Sequence, residues 1–162
     1  MSSNRLSRIV GKIQQLPSAL QSPALSLLFG SQVKFAGTAK VRVHTLTQQQ
    51  AVMSIANTRK VQNHIKGVHA AAMALLAESA TGFLVGMNVP DDKLPLIKSL
   101  KVDYLKRATG SLRAEASLTP EQIQAIHTQE KGEVLVAVTV IDDAGIQPIQ
   151  CEMLWAWVSK KR

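Results

Sequence analysis

The first 77 residues of this 162-residue chain contain nine Lys or Arg and no Asp or Glu. The first carboxylate is Glu78, and it sits inside AAAMALLAESATGFLVG, among the most apolar stretches of the sequence. Residues there are apolar nearly all round, the pattern of a helix covered on more than one side. The expected helix runs over about 68–85. Such a helix cannot rest on a surface, so the remainder of the chain must wrap it. Ionising a carboxylate inside that wrapping is costly unless it is paired, hydrogen-bonded or neutralised. Ala70, Ala71, Ala74, Glu78, Thr81 and Gly82 fall on one broad helical face. Their small side chains allow close approach to a sheet, or leave room for a ligand.

The wrapping reads as strands. AKVRVHTL alternates, with Val41, Val43 and Thr45 on one side and Lys40, Arg42 and His44 on the other. AVMSIANT follows the polar turn Gln48-Gln49-Gln50 as a second strand. After the helix and the turn at 88–92, LIKSLKVDYLKRA puts Leu100, Val102 and Tyr104 on one face, and Lys101, Asp103 and Arg107 on the other. SLRAEASL alternates again. Thr119-Pro120-Glu121-Gln122 carries an N-cap, a first-turn proline and a capping-box glutamine, which predicts a short helix. EVLVAVTVI, the hairpin turn 142–145 and IQPIQCEMLWAWVSK complete the pattern. Residues 1–30 read as short helices broken at Leu16-Pro17 and Ser22-Pro23, forming a cap on one domain that spans 1–162. Two strands, one long helix and four strands point to an α+β fold with an antiparallel sheet.

Composition narrows the function classes. The formal charge of +8 invites a nucleic-acid reading, but aromatics at 4% offer few stacking platforms, and no nucleic-acid-binding signature appears. A surface that attracts a phosphorylated small molecule fits better. Cys151, the one cysteine, excludes an internal disulfide and fits a reducing compartment, so the cytoplasm is expected. No apolar run approaches the ~18–20 residues of a membrane span, and membrane insertion is not expected. His44, His64 and His69 lie on different elements without ligand spacing, so no metal site is expected.

NHIKGVHAAAMALLAES resembles the signature of hotdog-fold acyl-CoA thioesterases, in particular the PaaI-like and 4-hydroxybenzoyl-CoA thioesterase groups. In that pattern an Asn or Gln precedes a His-Gly-Gly opening the central helix, and an Asp or Glu follows the His by nine residues. Asn63, His69 and Glu78 have this spacing here. The resemblance covers about Lys40 to Ser159, and the N-terminal helical extension is similar to that of a less characterised branch. It implies a hotdog fold, with an antiparallel sheet wrapped around one long central helix. It also implies a homodimer or dimer of dimers with sites at subunit interfaces, a thioester substrate such as acyl-CoA, and no cofactor. One departure is clear: His-Gly-Gly is His69-Ala70-Ala71 here, so a carbonyl approaching the helix N-terminus meets an extra methyl group.

On this reading Glu78 is the base or nucleophile, because a carboxylate in an apolar pocket has its pKa raised toward a useful value. The Ala70 backbone N–H, at the positive end of the helix dipole, is the oxyanion donor. Asn63 orients water or thioester, and His69 fixes the loop geometry. Gly67, Gly82, Arg59, Lys66, Lys106, Arg107 and Arg113 are the expected substrate-binding positions, the cationic ones as a phosphate patch. Each has a structural alternative: Glu78 as a buried hydrogen-bonded carboxylate, Asn63 as a turn former, His69 as a helix-start residue, and the basic residues as solvated surface. At the level of the whole protein, the alternative is a non-catalytic acyl-CoA or fatty-acyl binding module. A hydratase and a nucleic-acid binder rank behind it.

Overall fold

The computed structural model describes residues 4–160. At its centre lies helix α4, Ala70–Asn88, in which Leu76, Ala77, Ala80, Leu84 and Val85 are fully buried. Burying each of the leucines contributes about 1.5–3 kcal/mol, so the helix is held mainly by its packing. It begins at His69, whose extended backbone and ring Nδ1 cap the first turn by accepting the Ala71 N–H at 3.0 Å. Its 19 residues, with mean hydropathy 1.5, would satisfy the length and composition of a membrane span, which the sequence reading had not expected. Two-thirds of that surface is buried against the rest of the chain, which makes α4 the core helix.

Among the described residues, six strands form one antiparallel sheet around α4: β1 Arg42–Leu46, β2 Gln50–Ile55, β3 Lys93–Tyr104, β4 Leu112–Ser117, β5 Gly132–Asp142 and β6 Ile149–Ser159. Their spatial order is β1-β2-β4-β5-β6-β3. The strand after α4 therefore crosses to the far edge before the chain returns through β4 beside β2. Strict alternation in β4 (Leu112, Ala114 and Ala116 in, Arg113, Glu115 and Ser117 out) lays small side chains against α4. Helix α5, Pro120–Thr128, starts at the expected capping box: the Thr119 hydroxyl accepts the Gln122 N–H, and the Gln122 side chain accepts the Thr119 N–H at 2.9 Å. The observed architecture is the α+β arrangement read from the element order.

The N-terminal segment departs from expectation. Helix α1 spans Arg5–Ile13 and α2 spans Ser18–Gln32; a short α3, Lys34–Thr38, carries the helical part past residue 30. The chain does break before Pro17, but α2 runs straight through Pro23. That proline forfeits one backbone bond near the helix start, and side chains further along hold the helix in place. Leu25 and Phe29 are buried, the Ser22 hydroxyl donates to the Val43 carbonyl at 2.7 Å, and the Ser26 hydroxyl accepts the Val43 N–H at 2.9 Å.

Two further expectations are corrected. Strand β1 does not alternate cleanly, because its register shifts between Val43 and Thr45. A bulge at His44 puts both Val43 and Leu46 inside, while His44 stays outside with its Nε2 2.7 Å from the Ser54 hydroxyl. Thr81 does not share the open face of α4. It is fully buried, its hydroxyl donating to the Ala77 carbonyl at 3.0 Å and accepting the Trp155 indole N–H at 2.9 Å.

Candidate active site

Ala74, Glu78, Gly82 and Gly86 recur every fourth residue along α4 and form a half-buried stripe between neighbours that are almost all buried. The N-terminal helices lie over this stripe. Leu6 and Ile9 of α1, Leu28 and Phe29 of α2, Phe83 and Trp155 line an open cavity of about 650 Å³ beside Glu78. Phe29 and Phe83 meet ring to ring with centroids 4.6 Å apart. Gly82 is required by close approach: a β-carbon there would sit 2.6 Å from the Trp155 ring, so its absence lets that ring form the wall.

Among the described residues, no hydrogen bond or ion pair reaches the Glu78 carboxylate, and burial alone pushes its carboxyl above the ordinary glutamate value of 4.5. The neighbouring Ser79 also borders the cavity, its hydroxyl buried without a partner. Lys93 also lines it, but its ammonium is turned to backbone, donating to the Gln129 carbonyl at 2.6 Å. Asn4 joins α1 to the end of α4. Its side-chain amide donates to the Gly86 and Val89 carbonyls at 2.7 and 2.6 Å, and its oxygen caps Ser7. Ser79, Lys93, Asn4 and Trp155 were absent from the expected site. Asn4 and Trp155 reach α4 from more than sixty residues away in the chain, and no local pattern announces such contacts.

The other expected residues gather at the start of α4. The Asn63 side-chain oxygen accepts the Ile65 and Gly67 N–H groups at 3.0 and 3.1 Å, closing a tight loop in which Lys66 takes a left-handed φ of 62°. That oxygen is committed to the loop. Its Nδ2 has no acceptor among the described residues. Arg107 donates to the Ile65 carbonyl at 3.2 Å, which brings it against the Asn63–Gly67 loop, with Lys106 exposed beside it in the chain. Arg59 sits on the adjoining 3-10 turn, Arg59–Val61. Arg113 stands apart on the outer face of β4, paired with Glu115 at 3.2 Å. His69 serves as the helix cap, leaving the Ala70 N–H without an acceptor among the described residues. The Ala70 carbonyl accepts the Tyr104 hydroxyl at 2.7 Å, which ties the helix start to the end of β3.

Two clusters therefore exist in one chain: Glu78 with Gly82 under the helical cap, and Asn63, Lys66, Gly67, His69 and Ala70 with Arg107 at the helix start. Eight residues of helix separate Ala70 from Glu78, about 12 Å along the axis. One chain cannot bring both groups to a single carbonyl. No group of three or more His, Cys, Asp or Glu suited to a metal occurs among the described residues. Burial pushes the Cys151 thiol up to about 11, so it is protonated near neutral pH.

Residues 22–158 match the family described as a domain of unknown function, DUF4442. The chain belongs to that family. This DUF4442 protein is similar in structure to a Pseudomonas aeruginosa protein described as a probable thioesterase, with a TM-score of 0.77 and 23% identity over 90% of this chain and 97% of the other. It is also similar to a thioesterase from Haemophilus influenzae (TM-score 0.66, 9% identity, 83% and 88% covered). A second Pseudomonas aeruginosa thioesterase, solved as a mutant, gives a TM-score of 0.69 at 15% identity over 83% and 94% of the chains. The fold they share with this DUF4442 protein is the hotdog fold. A comparison with curated proteins finds no match.

Proposed function

We propose that this DUF4442 protein hydrolyses acyl-CoA-type thioesters, using Glu78 as general base or nucleophile. The observation that carries the reading is an unpaired carboxylate, raised by burial, at the head of an apolar cavity. A carboxylate so placed can deprotonate water, which attacks the thioester carbonyl and expels the thiolate, or can attack the carbonyl itself, expelling the thiolate and leaving a mixed anhydride that water then hydrolyses. The free N–H of Ala70 at the positive end of α4 supplies the oxyanion donor, and the basic loop around Lys66 and Arg107 supplies cations for coenzyme A phosphates.

The 12 Å between Ala70 and Glu78 favours a site completed by a second copy. Strand β3 is suited to that pairing: it is an edge strand of 12 residues with Leu94, Leu96, Leu100 and Tyr104 exposed. An open apolar edge invites pairing, and two-fold association along it removes the edge. Tyr104 binds Ala70 at the end of this strand, so a partner docked along β3 lies next to the oxyanion donor.

The test is release of free thiol from a panel of acyl-CoAs, with wild type and Glu78→Gln. The variant should fold and lose turnover by at least ~10²-fold, and wild-type kcat/KM should fall as pH drops through the raised Glu78 pKa. Stability gives a second reading. Below 4.5 the carboxyl is protonated folded or unfolded and costs nothing; as pH rises the unfolded chain ionises first, and the folded state loses stability. Glu78→Gln should therefore melt above wild type at pH 8, with the gap closing toward pH 4. Unchanged turnover in the folded variant would refute the mechanism.

A further inference from the structure

We infer that the cavity between α1, α2 and α4 receives a straight aliphatic acyl chain of about ten carbons, its head at Glu78 and its tail at Gly86, with the N-terminal helices setting the length. This rests on the proposed thioesterase reading for the chemistry at the head, and on geometry alone for the chain.

The head end is polar and unsatisfied. Glu78 has no partner among the described residues, and the Ser79 hydroxyl buried beside it has none either. The tail end is polar, open to solvent and internally paired. Asn4 donates to the Gly86 and Val89 carbonyls, the Arg5 N–H donates to the Asp91 carboxylate at 2.9 Å, and the Lys160 ammonium donates to the Asp91 carbonyl at 2.7 Å. These groups satisfy one another and offer nothing to a ligand. Between the ends the walls are Leu6, Ile9, Leu28, Phe29, Phe83 and Trp155. A cavity of about 650 Å³ falls within the roughly 300–1,000 Å³ of small-molecule sites. From Glu78 to Gly86 the helix rises about 12 Å, the length of roughly nine carbon–carbon bonds in an extended chain.

The two glycines of the stripe divide the work. Gly82 gives up its side chain to Trp155, whereas a β-carbon on Gly86 would meet only the end of Leu6, at an ordinary contact of 3.5 Å. The space over Gly86 therefore admits a methyl group, and a larger side chain there should shorten the pocket by pressing on the flexible end of Leu6. Leu28, half-buried on the opposite wall, offers the same test from the cap.

The experiment measures binding of S-alkyl-CoA thioethers of 4 to 16 carbons by tryptophan fluorescence, Trp155 being in the wall, alongside turnover of the matching acyl-CoAs. Wild type should tighten by about fourfold per methylene and level off near ten carbons. Gly86→Leu and Leu28→Phe, each confirmed folded by thermal melting, should level off about three to four carbons earlier and keep the affinity for the shortest ligands. That pattern without turnover would refute hydrolysis and leave the pocket assignment standing. Affinity independent of chain length, or a cutoff unmoved in both variants, would overturn the pocket even if thioesters are hydrolysed.

Discussion

The two edges of the sheet solve the same problem in opposite ways. At β1, helix α2 lies along the edge and two serine hydroxyls take the place of a neighbouring strand, one accepting the Val43 N–H and one donating to its carbonyl. At β3 nothing among the described residues plays that part, and Leu100 and Tyr104 lie 45% and 50% exposed. Leu100 pairs in register with the buried Met153, so it belongs to the inner face of the sheet and is exposed because the covering layer stops short of it. An edge that the chain seals is structural. An edge left bare, with the helix start and the free Ala70 N–H at its end, is where the proposed second copy and the substrate meet.

Charging the bare edge tests this contrast most severely. Leu100→Lys should hold the chain monomeric at micromolar concentration and lower turnover by ~10²-fold, because a composite site loses half its groups. Its melting temperature should fall only by what the lost association contributed, since the residue is half-exposed in the single chain. Light scattering with the thiol-release assay checks it; a fully active monomer would separate the edge from the site.

At the sealed edge the effect should fall on stability instead. Ser26→Ala strands the Val43 N–H and should cost about 1–3 kcal/mol in urea unfolding, with the dimer and the acyl-chain preference retained. A loss of association there would mean that both edges serve assembly.

The smallest effects belong to Ala70, beside the bare edge. Ala70→Gly should keep or raise turnover, at a stability cost of about 0.5 kcal/mol or less at a first-turn position. Ala70→Val should reduce turnover several-fold by crowding the N–H, with little change in melting. Equal turnover across Gly, Ala and Val would place the carbonyl elsewhere.

Local patterns carried much of the fold. Period-2 alternation marked β4, a capping box marked α5, and an apolar run interrupted by one carboxylate marked α4, because each is decided by neighbours within a few residues. The spacing of Asn63, His69 and Glu78 was likewise legible as a resemblance. What failed was whatever a distant segment decides. Pro23 reads as a break until Ser22 and Ser26 are seen bonded to Val43, and strict alternation in β1 overlooks the bulge at His44.

By itself, then, the sequence determined that a buried helix would carry an isolated glutamate and that antiparallel strands would wrap it; hydrophobic periodicity and capping chemistry are enough for that. Only the tertiary structure decided which face of the helix stays open. Trp155, arriving from β6, claims Thr81 and fills the space over Gly82, while Asn4 reaches across more than 80 residues to tie α1 to the Gly86 and Val89 carbonyls. Tertiary structure also decided that Asn63 and Ala70 stand about 12 Å of helix away from Glu78. Residues near in sequence signal each other through local geometry, but a cavity is the space left between segments, and no single segment encodes it.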